Sequence, residues 1–277
     1  MTLLDSLAPC SPGLWTHDHV TVERVTAGPL PDGTSGVKVL NVRRDADRLH
    51  VTHSLTAEQI SERLVAEVTA SIQDAAFGQD EFELTMVGLV RSTVPGALDS
   101  WVTYYRNSLG ELLHGTADFA PIHDRAAELV RGSVLDLGSC FGFLPLRLAA
   151  AGTAVTATDI LPGTMRLLDA VAPRLGLRLD TLVCDAANVP VADDSADTVT
   201  AIHLLEHVDD AVGATILAEA LRIARQRVVV AVPFEDEATA CHGHVRTFDL
   251  SALEELGRTT GRPFEVFEYH GGWLVVD

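Results

Sequence analysis

The chain has 277 residues, 39 acidic against 20 basic, a formal charge of −19 and a single lysine, Lys38. So acidic a surface repels phosphate backbones, which argues against a nucleic-acid partner and for a neutral or cationic small molecule or a sugar. The four cysteines, Cys10, Cys140, Cys184 and Cys241, are too scattered for a zinc framework, and no apolar run approaches the roughly 18 residues of a membrane span, so a reduced, cytoplasmic setting is expected.

The first hundred residues read as a small α+β region. Val20 to Val25, Val37 to Val42 and Arg48 to His53 are short β-type runs, the first two separated by the turn-rich Pro29 to Gly36, which suggests a meander. His17 and His19 would share a strand face there. Thr56 with Gln59 has the form of a capping box, and Ile60, Leu64 and Val68 then fall on one helical face. Further on, Trp101, Tyr104, Tyr105, Leu109 and Leu112 form another helical stripe, either core or a substrate wall, with Tyr104 and Tyr105 the candidate substrate contacts. The length accommodates an N-terminal cap over residues 1–115 and a catalytic domain over 116–277.

The second half alternates strands and helices, the pattern of a parallel sheet with right-handed crossovers. VLDLGSCFGF, Val134 to Phe143, is an apolar strand ending in Asp136, then a turn in which Gly138 and Gly142 let the backbone approach a nucleotide-type cofactor. Cys140 stands where the dinucleotide fingerprint has its middle glycine, which disfavours an intact pyrophosphate. The next run, Ala154 to Thr158, ends in Asp159, about twenty residues on, where a carboxylate accepts ribose hydroxyls. Thr181 to Cys184 ends in Asp185, and Thr198 to Ile202 ends in His203 and runs into Glu206 and His207. Polar groups thus recur at carboxyl ends of strands, where open parallel sheets bind ligands. Between these strands Pro162 opens a helix that Gly176 closes, and a second helix covers Ala211 to Ala224. Arg227 to Val232 reads as a central strand stopped by Pro233. Phe264 to Tyr269 and Trp273 to Val276, joined at Gly271 and Gly272, read as a closing hairpin.

Over Gly132 to Asp277 these features resemble the class I S-adenosylmethionine-dependent methyltransferases. The resemblance implies an α/β fold, a Rossmann-like seven-stranded sheet with an antiparallel last strand, preceded here by the smaller α+β cap. It implies S-adenosylmethionine as cofactor, its methionine part at Asp136, Gly138 and Gly142, its ribose at Asp159, its adenine at Asp185 and Ala186, with Cys140, Ile160 and His203 as further cofactor contacts at the same edge. Longer strings, RSTVPGALDSWVTYYRNSL (Arg91 to Leu109), HLLEHV (His203 to Val208), VAVPFEDE (Val230 to Glu237) and HGHVRTFDL (His242 to Leu250), resemble the mycofactocin oligosaccharide methyltransferase family. That implies O-methylation of a glucose unit in the oligosaccharide carried by a peptide-derived redox cofactor.

A neutral aliphatic hydroxyl is a poor nucleophile, so such an acceptor needs a base or a metal to help remove its proton. His244 is the preferred base, with His207, Glu206 and Arg246 as the other catalytic candidates and His242 as a substrate contact. The alternatives are bland: His207 pinning the next helix, Arg246 pairing with Glu235 or Asp236, and Cys241, His242 and His244 as a weak metal grouping, so no metal is assigned. A quinone or phenol acceptor, or a non-catalytic S-adenosylmethionine-binding module, remains open as the function.

Overall fold

A computed structural model describes residues 5–25, 40–45, 47–72 and 78–277. The turn expected at Pro29 to Gly36, the start of the strand expected at Val37, and Lys38 lie outside them. Contacts divide the chain into two units, Met1–Ala117 and Asp118–Asp277.

The first unit holds β1 (Leu14–His17), β2 (Val20–Arg24), β3 (Leu40–Asp45) and β4 (Arg48–His53), then α1 (Leu64–Ile72), α2 (Gln79–Thr93) and α3 (Ala97–Leu113). The described sheet has the order β1-β2-β4-β3, with β2 parallel to β4, so it is not the meander expected from the run of short strands. Alternating residues Val20, Val22, Leu49, Val51 and His53 face inward, the period-2 signature of a half-buried sheet. Helix α2 lies close on that face, since a Cβ at Gly88 would stand 2.2 Å from Val22 Cγ2.

Two local expectations are corrected. The helix expected from Thr56 starts only at Leu64, although Ile60, Leu64 and Val68 are all buried. Side chains of α3 take the backbone groups that a helix would have used: Asn107 Nδ2 donates to the Ala57 and Ile60 carbonyls, and Ser108 Oγ accepts from Glu62 N. His17 and His19 do not share a strand face, because His19 sits in the β1–β2 turn after Asp18 (φ 48°) and bonds Glu81 at 3.1 Å.

The second unit runs α4 (Ala120–Leu129), β5 (Val134–Asp136), α5 (Phe143–Ala150), β6 (Val155–Asp159), α6 (Pro162–Val171), β7 (Asp180–Val183), β8 (Ala196–Ile202), α7 (Asp210–Ile223), β9 (Ala224–Val232), α8 (Leu250–Thr259), β10 (Phe264–Glu268) and β11 (Gly272–Val276). Among the described residues its sheet has seven strands in the order β10-β11-β9-β8-β5-β6-β7. β5 pairs in parallel with both β6 and β8, so the winding reverses there, and the carboxyl end of β5 is the switch point where such sheets bind ligands. β11 runs antiparallel to β9 and β10, as the hairpin at Gly271 and Gly272 implied. Asp209 caps α7 by accepting from Val212 N at 2.9 Å, and Asp249 caps α8, a helix not expected from the sequence, by accepting from Ala252 N at 2.7 Å.

Candidate active site

The edge expected to hold the cofactor is built from the ends of β5, β6, β7 and β8. Asp136 is buried, 3% exposed, and its carboxylate accepts from Thr200 Oγ1 and, at 2.7 Å, from Ser139 Oγ. Burial raises its pKa to about 6 against the pull of those hydrogen bonds. The carboxylate therefore braces the loop from inside rather than facing outward to a ligand, a correction to its direct role in holding methionine. The loop turns through left-handed backbone at Gly138, Cys140 and Gly142, and at Gly142 a Cβ would also stand 2.5 Å from Leu168 Cδ2. Cys140, exposed at φ 48°, is the residue that bears this conformation without being glycine.

Asp159 joins the loop to the end of β6, with Oδ2 accepting from Cys140 N and Oδ1 from Leu161 N, both at 2.9 Å. Each oxygen keeps a further lone pair for a hydroxyl. Ile160 and Leu161 beside it are 64% and 52% exposed, an apolar surface suited to a purine. Asp185 is exposed, with Oδ1 on Ala187 N at 2.8 Å, and Ala186 next to it is half-buried. This donor and acceptor set fits S-adenosylmethionine: outward carboxylates for hydroxyl and amino groups, a tight backbone turn, and an apolar patch between. When bound, that cofactor supplies a methyl carbon on a sulfonium, open to attack by a nucleophile.

A second group of side chains gathers at the carboxyl ends of β8 and β9. The backbone after β8 turns at His203 (φ 53°), whose N–H bonds the Ala231 carbonyl at 2.8 Å, and continues into a short 3-10 turn, Leu205–His207. The segment after β9 is pinned to that turn, because Val245 N donates to Glu206 O at 2.9 Å and Arg246 Nε to Leu205 O at 2.9 Å. Arg246 also bonds Asp210 and lies over the Phe248 ring. Arg246 is therefore a brace and not a group facing an acceptor, and its carboxylate partner is neither Glu235 nor Asp236.

Glu235, at the end of β9, holds His244 instead. Its Oε2 accepts from His244 Nδ1 at 2.7 Å and its Oε1 from Thr239 Oγ1 at 2.7 Å. With Nδ1 so engaged, His244 keeps its Nε2 lone pair, and the His207 ring stands edge-on to it at 4.9 Å. His207 does not cap α7, since Asp209 does. Glu206 is 0% exposed, and among the described residues neither carboxylate oxygen has a hydrogen-bond partner. His203 Nδ1 is 3.4 Å from Glu206 Oε1 without hydrogen-bond alignment. Burial pushes Glu206 up to about 8 and His203 down to about 4, so at neutral pH the two are uncharged neighbours and not an ion pair.

Sequence reasoning brought His203, Glu206, His207, His242 and His244 to one place, and it missed what Glu235 does. The signal was present, since Glu235 is another acid just past a strand's carboxyl end. The metal grouping weighed from the sequence changes too: among the described residues the donors within reach of one another are Glu206, His207 and His244, without Cys241. Tyr104 and Tyr105 are 2% and 0% exposed in α3, with their rings edge to face, which leaves neither an open surface for a substrate.

A family model described as a methyltransferase domain matches residues 135–232, from β5 through β9. No curated protein matches the chain. Among solved structures, a methyltransferase dependent on S-adenosylmethionine from Aquifex aeolicus is 14% identical, with 61% of this chain and 96% of that one covered at a TM-score of 0.47. Another from Methanosarcina mazei is 18% identical over 55% of this chain and 95% of that one, TM-score 0.46. The PH0226 protein of Pyrococcus horikoshii is 16% identical over 57% and 88%, TM-score 0.48. Among the described residues no helix is long and apolar enough to cross a membrane. With the switch-point edge and the seven-stranded order, the matched segment is a methyltransferase domain within this chain, and S-adenosylmethionine is the methyl donor that goes with it.

Proposed function

We propose that the protein moves the methyl group of S-adenosylmethionine to a sugar hydroxyl, a glucose unit of the mycofactocin oligosaccharide, in the cytoplasm. The observation that carries this reading is the hydrogen bond from His244 to Glu235 beside the buried Glu206. A quinol or phenol ionises far more readily and has less need of such a group, and a module that only binds the cofactor has none. His244 is the proton acceptor in the ion-free cluster, with Nδ1–H held by Glu235 and Nε2 presented to the hydroxyl, and His242 contacts the acceptor. The strings that resemble the mycofactocin family support the substrate, and two of them lie outside the matched segment, at Arg91 to Leu109 and His242 to Leu250. The first unit, including the expected cap over residues 1–115, is the substrate domain. An acidic surface suits a neutral glycan.

The test is to incubate the purified protein with S-adenosylmethionine and a polar metabolite extract of a mycofactocin-producing cell, and to search by mass spectrometry for products heavier by one methylene. A gain on a hexose-bearing species is expected. A gain on an aromatic species, or cofactor binding without product, overturns the substrate.

A further inference from the structure

We propose that Glu206, His207 and His244 form a binding site for a first-row divalent cation, which receives the acceptor hydroxyl. The inference rests on the same cluster as the proposed function and deepens it.

One donor atom from each of the three side chains lies within 4.8 Å of the other two. Ligands about 2.1 Å from a shared cation stand roughly 3–3.5 Å apart, so the three donors draw in by up to about 2 Å when the ion binds. Three further observations set this trio apart from a chance cluster. Glu206 is completely buried and both its oxygens lack a hydrogen-bond partner among the described residues, an arrangement that is costly in a site without a ligand. His244 already has one ring nitrogen on the Glu235 carboxylate. That is how metal-binding histidines are oriented, with one nitrogen held by an acceptor and the other left for the ion. Glu235 is itself fixed by Thr239, so the support extends a further layer. Finally, the pieces come from two segments that are hydrogen-bonded together, Leu205–His207 and the stretch after β9, which makes the geometry rigid.

The donors identify the ion. Two imidazoles and one carboxylate suit zinc, manganese, cobalt or iron better than magnesium or calcium, which prefer oxygen alone. Three protein ligands also leave positions open for an acceptor oxygen. Bound there, a sugar hydroxyl loses its proton to solvent more readily, and its oxygen bonds the methyl carbon as the carbon–sulfur bond breaks. The electron pair of that bond stays on sulfur, and S-adenosylhomocysteine leaves. His244 is then a ligand rather than the base.

Cobalt(II) serves as the probe because its visible absorption reports nitrogen and oxygen ligation. The chelator-treated full chain is titrated with cobalt(II) and followed by absorption and calorimetry, in parallel with Glu206→Gln and His207→Ala. S-adenosylmethionine affinity and circular dichroism are measured on each. We expect one saturable site of micromolar affinity, weakened at least 30-fold in both variants, with cofactor affinity unchanged. His207 is exposed, so its replacement reads the site even if the core variant folds poorly. Absence of saturable binding, or equal binding in His207→Ala and the unaltered chain, overturns the site. Cation binding needs no acceptor, so its failure leaves the glycan reading standing, and a methylated product of another class would leave the cation site standing.

Discussion

The two units each bury a titratable side chain, and they treat it in opposite ways. In the first unit His53, 1% exposed, is matched on both ring nitrogens: Nδ1 accepts from Leu55 N at 3.2 Å and Nε2 donates to Ser92 Oγ at 2.8 Å, while Ser92 donates onward to the Gly88 carbonyl. That chain fixes one neutral tautomer and ties β4 to α2. In the second unit Glu206, 0% exposed, is left unmatched among the described residues. A satisfied buried polar group rigidifies a fold, whereas an unsatisfied one is costly and asks for a ligand. The contrast separates a structural histidine from a candidate functional carboxyl by its partners, where burial alone makes them equivalent.

The structural side of that comparison should show the largest effect. Burial lowers the pKa of His53 to about 4. Its unfolded value is about 6.5, so between these the unfolded chain binds the extra proton, and stability present above pH 6.5 is lost as pH falls toward 4. The loss should total about 3 kcal/mol. Urea unfolding at pH 7 and pH 4.5 measures it, and His53→Leu should flatten the dependence; an unchanged slope in that variant would refute the assignment. On the functional side, His244→Ala should slow turnover about 100-fold or more, about 2.7 kcal/mol in barrier, with cofactor affinity intact. Full activity would instead assign no chemical part to His244.

A smaller effect is expected at the cofactor edge. Asp159→Ala should weaken S-adenosylmethionine binding by about 1–3 kcal/mol in calorimetry, the scale of a lost hydrogen bond to a carboxylate. Equal affinity would remove Asp159 from the ribose. Smallest of all is Cys140→Gly. Relief of the left-handed backbone, worth about 1 kcal/mol, is offset by the greater freedom of glycine in the unfolded chain. Stability should move by less than about 1 kcal/mol, with cofactor affinity retained; a loss of several-fold in affinity would show that the thiol side chain itself meets the ligand.

The second unit was legible because its signals are local. β5, β6, β7 and β8 end at or beside Asp136, Asp159, Asp185 and His203, and each ending is a short apolar run stopped by a polar residue. The first unit was less legible. The spacing of Ile60, Leu64 and Val68 is helical, yet the helix waits until Leu64 because Asn107 and Ser108, some 50 residues away in sequence, claim the intervening backbone. The pairing of β2 with β4 in parallel is likewise invisible in strand order alone. Within the site, the histidines stood out by residue type, while the partners that define their roles did not.

By itself, then, the chain's pattern of apolar runs, polar strand ends and glycine turns determined the parallel sheet and the candidate cofactor edge, because these depend on neighbours within a few residues. Only the tertiary structure decided that Asp136 faces inward, that Arg246 braces, that Glu235 orients His244 and that Glu206 is buried without a partner. Each of those is a contact between segments separated in sequence, set by how β8, β9 and the turns beyond them pack together.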